Sequence, residues 1–221
     1  MMNQEKPVHS AMSLRDLKNL IRSGEGLSLE FKRAISSPEK IAREIAAFAN
    51  THGGNLLIGV DDDGSLIGVE SYLEQDFYLE QAANDLCTPA ISYRMEIIPC
   101  NDREILLVHI NEALKKPVSV RNGNTNAAYV RMEDQSVRAS DEMTAVMKQK
   151  ASKKGITFRY GAYEQKLFRY LNEYPHITVD QYSRLADIHR KKASRILVDL
   201  TSLGILKMIN EKQHVCFTLS T

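Results

Sequence analysis

The chemistry legible in this chain sits in four carboxylates and one basic run. Glu25 and Glu30 are close in sequence, and Asp61 and Asp62 directly follow a short apolar run, residues 55–60. Carboxylates gathered on one surface hold a Mg²⁺ or Mn²⁺ ion, which bridges a phosphodiester, neutralises its developing charge and positions water for attack. Lys32 shares a strand face with Glu30 and would pair with it or touch phosphate. The plainer reading is an ordinary turn, Asp61-Asp62-Asp63-Gly64, beside one exposed Glu-Lys pair. The basic run is His189-Arg190-Lys191-Lys192, with Arg195 one turn on and Ile196, Leu197, Leu200 and Leu203 behind it. As a recognition helix it would set Lys191 and Lys192 on phosphate and Arg190 and Arg195 at base edges, while Lys212 in the turn 210–213 would reach phosphate as a wing. A protein-interaction module or a solvated basic face fits the same pattern.

These residues need elements to hold them. Ile41, Ile45 and Phe48 recur at helical spacing, Gly53 and Gly54 end that helix, and the run 55–60 is of strand type. The acidic turn therefore hangs from the carboxyl end of a strand, where many α/β domains keep their ligand chemistry. Upstream, Ser13 with Asp16 caps a short helix with Leu14, Leu17, Leu20 and Ile21 as its stripe, ending near Gly24. Leu27, Leu29 and Phe31 alternate with Ser28, Glu30 and Lys32, which predicts one buried face and puts Glu30 and Lys32 together on the other. Ser37-Pro38 starts the central helix. Downstream, the patterns predict a hairpin partner over 65–69, a helix over 73–86, strands over 91–99 and 103–110, a polar turn at 121–124, a strand over 127–132 and a helix from 140 to about 150. Beyond Ala151 the pattern becomes three short helices and a two-stranded hairpin, the plan of a winged helix.

Four segments follow: a flexible leader over 1–12, a first domain over 13–150, a linker over 151–155 and a winged-helix domain over 156–221. Charge divides along the same line. Residues 1–150 hold 17 Lys and Arg against 22 Asp and Glu, and residues 151–221 hold 12 against 6. A basic module of that size is an electrostatic footprint for nucleic acid. Cys87, Cys100 and Cys216 have no metal-ligand spacing and fit a reducing interior. No run approaches a membrane helix and the start lacks the apolar core of a signal peptide, so a cytoplasmic protein with no membrane partner is expected. A Walker-type phosphate loop is missing from the sequence, the Gly53-Gly54 pair follows a helix instead of opening one, and the acidic turn lacks the spacing of a calcium loop.

Several ordered motifs resemble a known family. Glu25 and Glu30-Phe31-Lys32, then Ala47-Phe48-Ala49-Asn50-Thr51 with Gly53-Gly54, then Ile58-Gly59-Val60-Asp61-Asp62, then Lys116-Pro117 and Tyr129-Val130-Arg131 look like the Schlafen/AlbA-like family of DNA-binding domains, over about residues 13–145. The resemblance implies an α+β fold with a mixed sheet, a C-terminal helix-turn-helix or winged helix, and the label of transcriptional regulator or ATP-binding protein. It also implies a rival, because Schlafen ribonucleases use two Glu and one Asp that fall by motif on Glu25, Glu30 and Asp61 or Asp62. This chain is a single short copy without their duplicated lobe, helicase region or zinc-ligand cysteines; a homodimer would recreate the two-lobed cleft. The expectation is a homodimeric nucleic-acid-binding regulator, with DNA favoured over RNA. Binding would need no cofactor, while the endoribonuclease alternative would need Mg²⁺ or Mn²⁺.

Overall fold

The structure, a computed structural model, describes residues 6–123, 125–152, 160–211 and 214–220. The chain divides into two compact units at Arg138/Ala139. The first unit is α+β. In chain order it contains β1 (Val8–His9), α1 (Leu14–Arg22), β2 (Leu29–Lys32), α2 (Pro38–Asn50), β3 (Gly54–Ile58) and α3 (Tyr72–Gln81), the last continued by a π-helical turn, Ala82–Leu86. There follow β4 (Cys87–Thr88), β5 (Tyr93–Cys100), β6 (Arg103–Ile110), β7 (Ser119–Asn122), β8 (Thr125–Met132) and β9 (Gln135–Arg138). One mixed sheet has the order β1-β5-β6-β3-β2, and a second, antiparallel sheet has the order β4-β7-β8-β9.

Helix α2 is the centre of this unit. Ser37 caps it by accepting from the Lys40 amide, Pro38 opens it, and Ile41, Ala42 and all of 45–50 are buried. A helix buried on most sides needs small residues for close approach, which Ala42, Ala46, Ala47 and Ala49 supply. Its core joins Phe48 and Ile45 to Leu56 and Ile58 of β3, Leu106 and Val108 of β6, and Val118 and Val120 near β7. Gly53 takes φ +74° to end the helix, and a Cβ on Gly54 would run into the Phe48 ring. The opposite face of the five-stranded sheet carries Leu29, Phe31, Leu57, Ile105 and Leu107, covered by Leu17 of α1.

Several sequence expectations are corrected here. The leader is not loose throughout: Val8 and His9 pair in parallel with β5, and the Ser10 hydroxyl donates to Glu96. Leu27, assigned to a buried face, lies outside β2 and is 54% exposed. The residues 65–69 form isolated bridges, Val60 to Leu66 and Val69 to Glu104, instead of a hairpin strand. The helix over 73–86 loosens to π geometry after Gln81.

The second unit begins with α4 (Asp141–Ala151), then α5 (Ala162–Glu173), α6 (Val179–Ala186), α7 (Arg190–Ser202) and the antiparallel hairpin β10 (Leu206–Glu211) and β11 (His214–Leu219). Helix α4, expected to close the first domain, packs within this unit instead. Its Gln149 donates to Asp199 of α7 (2.6 Å), and its Glu142 accepts from Ser194 (3.1 Å). The core gathers Leu167, Leu171, Ile177, Tyr182, Leu197, Leu200 and Phe217. Ile177 and Phe217 exchange backbone hydrogen bonds of 2.9 and 2.8 Å, which tie the hairpin to the segment between α5 and α6. Most of the linker, residues 153–155, lies outside the described residues. No helix among those described is long and apolar enough to cross a membrane.

Candidate nucleic-acid interface

The four predicted carboxylates do not meet. Strand β2 explains why, since its pleat sends Leu29 and Phe31 to one face of the sheet and Glu30 to the other. Glu30 faces inward and is buried, with its Oε2 2.9 Å from the Arg131 guanidinium and its Oε1 bonded by Lys32. Glu25 instead accepts from the Phe31 amide at 2.7 Å, while Gly26 N–H donates to Leu29 O at 2.9 Å. Because β2 ends the sheet, these two bonds close an edge that would otherwise expose unpaired backbone groups. Asp61 pairs with Arg33 at 3.4 Å. The Ser65 hydroxyl and amide hold Asp63 below the usual carboxylate range, and the amide bond is 2.8 Å. Asp62 is left exposed on an open cleft of about 700 Å³ that Glu25, Lys18, Arg22 and Phe31 also line. Among the described residues no three His, Cys, Asp or Glu side chains come together to hold a metal ion. The predicted set of four therefore does not assemble, because Glu30 is held by Arg131 and Lys32 on the other face of β2 and only Glu25 and Asp62 of the four share the cleft.

That hold is part of a buried polar network which sequence reasoning missed. Arg131 of β8 has a fully buried side chain. It donates to Glu30 (2.9 Å), Glu44 (3.2 Å), Ser136 (3.2 Å) and the Gly26 carbonyl (2.6 Å), with its guanidinium carbon 4.8 Å from the centre of the Phe48 ring. A buried charge is tolerated only when it is paired and hydrogen-bonded, and here α2, β2, β8 and β9 each take part. Asn50 makes a second tie, donating to the Val118 and Tyr129 carbonyls at 2.8 Å each and accepting from the Val118 amide at 2.7 Å. The Lys116 ammonium donates to Thr51 O at 2.8 Å. Asn50, Thr51, Lys116 and Arg131 thus hold the two sheets to α2. The available signal was a single Arg set between Val130 and Met132 at the end of an apolar run, residues 127–132.

The predicted basic residues divide differently. Lys32 is bonded to Glu30 and to Phe31 O at 3.0 Å, and its side chain is 33% exposed. In α7, Ala193, Leu197, Val198 and Leu200 face the core, so Lys191, Lys192 and Arg195 are left exposed on the outer face. His189 caps the helix through its ring, accepting from the Lys191 amide at 3.3 Å. The Lys192 ammonium lies 3.9 Å from the centre of the Tyr163 ring, a cation–π contact that holds the charge itself against the ring face. Arg190, expected at a base edge, is held by Asp180 (2.9 Å) and lies 3.8 Å from Glu142. Lys191 and Arg195 make no ion pair among the described residues. Lys212 and Gln213 lie outside those residues, while Asn210 and Glu211, expected in the same turn, extend β10 and pair with Val215 and His214.

The sequence profile of the family described as Schlafen, AlbA_2 matches residues 25–140, just over half of the chain. The family match falls almost wholly within the first unit. An uncharacterised ATP-binding protein of Ureaplasma parvum is 29% identical over 109 residues, 46% of this chain and 30% of that protein, so the chain spans less than a third of that relative. Among solved structures, the N-terminal domain of a Nitrosomonas europaea protein related to the ATP-dependent DNA helicase RecG has 21% identity and a TM-score of 0.44, covering 68% of this chain and 98% of that one. A Corynebacterium diphtheriae protein has 20% identity and a TM-score of 0.43, covering 57% and 28%.

Proposed function

The chain belongs to the Schlafen, AlbA_2 family, and from that membership we propose that it is a nucleic-acid-binding protein, a transcriptional regulator whose second unit is a winged helix that grips DNA. The observation that carries this reading is the outer face of α7. Lys191, Lys192 and Arg195 are exposed there, while the opposite face of the helix is locked into the core by Leu197 and Leu200. A recognition helix needs that division, because the cations that meet phosphate and base edges must lie on the face turned away from the core. Lys191 and Lys192 are phosphate contacts in this reading. Arg195 is the base reader, and Arg190 joins it when released by its carboxylates. A homodimer completes the reading, since two copies of α7 would read two half-sites.

The test is duplex binding by the full chain with Lys191→Ala, Lys192→Ala and Arg195→Ala combined. Affinity should drop at least tenfold, and the slope of log Kobs against log salt should fall by about 2, at roughly 0.9 for each of the two phosphates no longer neutralised. Unchanged affinity with an intact fold would assign α7 to protein contacts.

One observation keeps the endoribonuclease reading as the rival: Glu25 and Asp62 line the same cleft as Lys18 and Arg22. Total tRNA incubated with Mn²⁺ and with Asp62→Asn decides it. Cleavage abolished by that exposed substitution supports the enzyme, and intact tRNA from folded protein removes it.

A further inference from the structure

Helix α3 carries apolar side chains on two sides. Leu79 is buried in the core with Ala82 and Ala83 of the π-helical turn, and Tyr72 and Tyr78 pack against the same core. At about 3.6 residues per turn, Leu73 and Phe77 fall on the opposite side, one turn apart. Both are 64% exposed. Val8, Leu14, Leu27 and Leu114, the other large apolar residues exposed in the described part of the first unit, stand singly in the sequence, which is ordinary for a protein surface. A helix that is apolar on both sides is normally covered on both.

The outer side is preorganised. The Phe77 ring meets the Tyr78 ring edge to face with centres 5.9 Å apart, and Tyr78 packs on the core, so the exposed ring has a fixed backing. Just beyond it, where the helix loosens to π geometry, Phe77, Glu80, Gln81, Asn84 and Asp85 line a hollow of about 220 Å³.

Charge identifies what covers this side. Between Arg43 and Arg94 the sequence contains no Lys or Arg. By helical spacing Glu74 and Asp85 flank the ridge of Leu73 and Phe77 on one side and Glu80 on the other. Arg103 reaches Glu70, ahead of the helix, at 3.7 Å, and among the described residues no ion pair reaches Glu74, Glu80 or Asp85. Such a surface repels a polyanion and an anionic lipid layer alike. Two copies meeting ridge to ridge would set the same acids against one another. A single contact with the basic second unit of another copy is head to tail and leaves a free ridge for the next.

We propose that this face of α3 docks a separate protein through a basic amphipathic helix. The partner's apolar side chains pack against Leu73 and Phe77, and its Lys and Arg meet Glu74, Glu80 and Asp85. One Arg enters the hollow with its guanidinium over the Phe77 ring and its N–H groups toward Glu80 and Asp85. The site lies in the first unit and does not rest on α7.

The experiment measures anisotropy of fluorescein-labelled peptides with the full chain at about 0.1 M salt. One probe is a helix of about five turns with leucines at i, i+3 and i+4 spacing and Lys and Arg elsewhere; the other has Glu at every Lys and Arg position. L73S/F77S should weaken the basic probe at least tenfold and E80Q/D85N about three- to tenfold. K191A/K192A/R195A should leave it unchanged, and the Glu-bearing peptide should not bind. All four substituted side chains of α3 and its π turn are exposed, so both variants should melt with the parent. If L73S/F77S melts earlier, E80Q/D85N is read alone. Affinity for the basic probe unchanged in both variants would overturn the proposal, as would equal binding of the two peptides. A dimer mass in sedimentation that L73S/F77S reduces to monomer would also overturn it, by giving the ridge to a second copy.

Discussion

Arg131 and Asp62 mark the two extremes of what a charged side chain does in this molecule. Arg131 is sealed against Glu30, Glu44 and the Phe48 ring, so its removal leaves the buried Glu30 with Lys32 alone and Glu44 with no cation among the described residues. Arg131→Met should cost about 3 kcal/mol or more, read as a lower urea midpoint at unchanged slope. Adding Glu30→Leu to it should recover part of that loss, because the buried carboxylate that lost its buried partner is then gone. A single Arg131→Met variant as stable as the parent would disprove the network's structural role. Asp62 is exposed and its carboxylate has no ionic partner among the described residues, so Asp62→Asn should stay within about 0.5 kcal/mol of the parent. For that reason Asp62, and not Glu30, is the clean probe of chemistry at the cleft. A Glu30 variant changes stability whether or not the protein is an enzyme.

At the scale of elements, α6 restrains α7 through one ion pair. Asp180, in the first turn of α6, holds Arg190 at 2.9 Å with both side chains largely in solvent. Asp180→Asn should loosen the hold on Arg190, which keeps Glu142 at 3.8 Å, and remove a negative charge beside the proposed recognition helix, raising duplex affinity about two- to fivefold by anisotropy. The helix itself should lose about 0.3 to 1 kcal/mol of dipole stabilisation. Unaltered affinity would mean that Arg190 faces no phosphate. Strand β1 depends on a carboxylate in a different way. The Ser10 hydroxyl, with His109 and Arg94, holds Glu96 below the usual glutamate range. A folded value below the unfolded one stabilises above the ordinary range, near about 4.3, and the contribution is lost as pH falls through the depressed value. Hydrogen exchange of the Ser10 amide should therefore lose protection on acidification before the β5–β6 ladder does, and Ser10→Ala should narrow that difference. Elements announced by their own residues were legible in the sequence: Ser37-Pro38 opens α2, Gly53-Gly54 ends it, and Asn101 turns β5 into β6 at φ +55°. Elements defined by partners were not. Strands β1, β4, β7 and β9 are two to four residues long, too short for alternation to register. Glu30 read as an exposed pair because strand periodicity identifies the faces of a strand, not what covers them; Arg131, 101 residues away, covers this one.

Over the whole molecule, opposite charges are segregated instead of mixed. Residues 1–150 carry 22 acids against 17 bases and the remainder 12 bases against 6 acids, leaving a net charge of +1 and a pI near 7.7. A chain with so little net charge has weak repulsion between copies, while its two ends attract one another from molecule to molecule. Self-association should therefore appear at low ionic strength near neutral pH. It should fade as salt brings the Debye length to about 10 Å, near 0.1 M. Added oligonucleotide should disperse it as well, by taking the cations that the acidic region otherwise attracts. Light scattering against salt separates this behaviour from a specific homodimer, whose mass would persist through the titration. The K191A/K192A/R195A variant assigns the attraction: if α7 supplies it, that variant stays dispersed at low salt. Scattering that is independent of both salt and those three residues would mean that the segregation of charge does not govern how copies of this chain, or its polyanion, approach it.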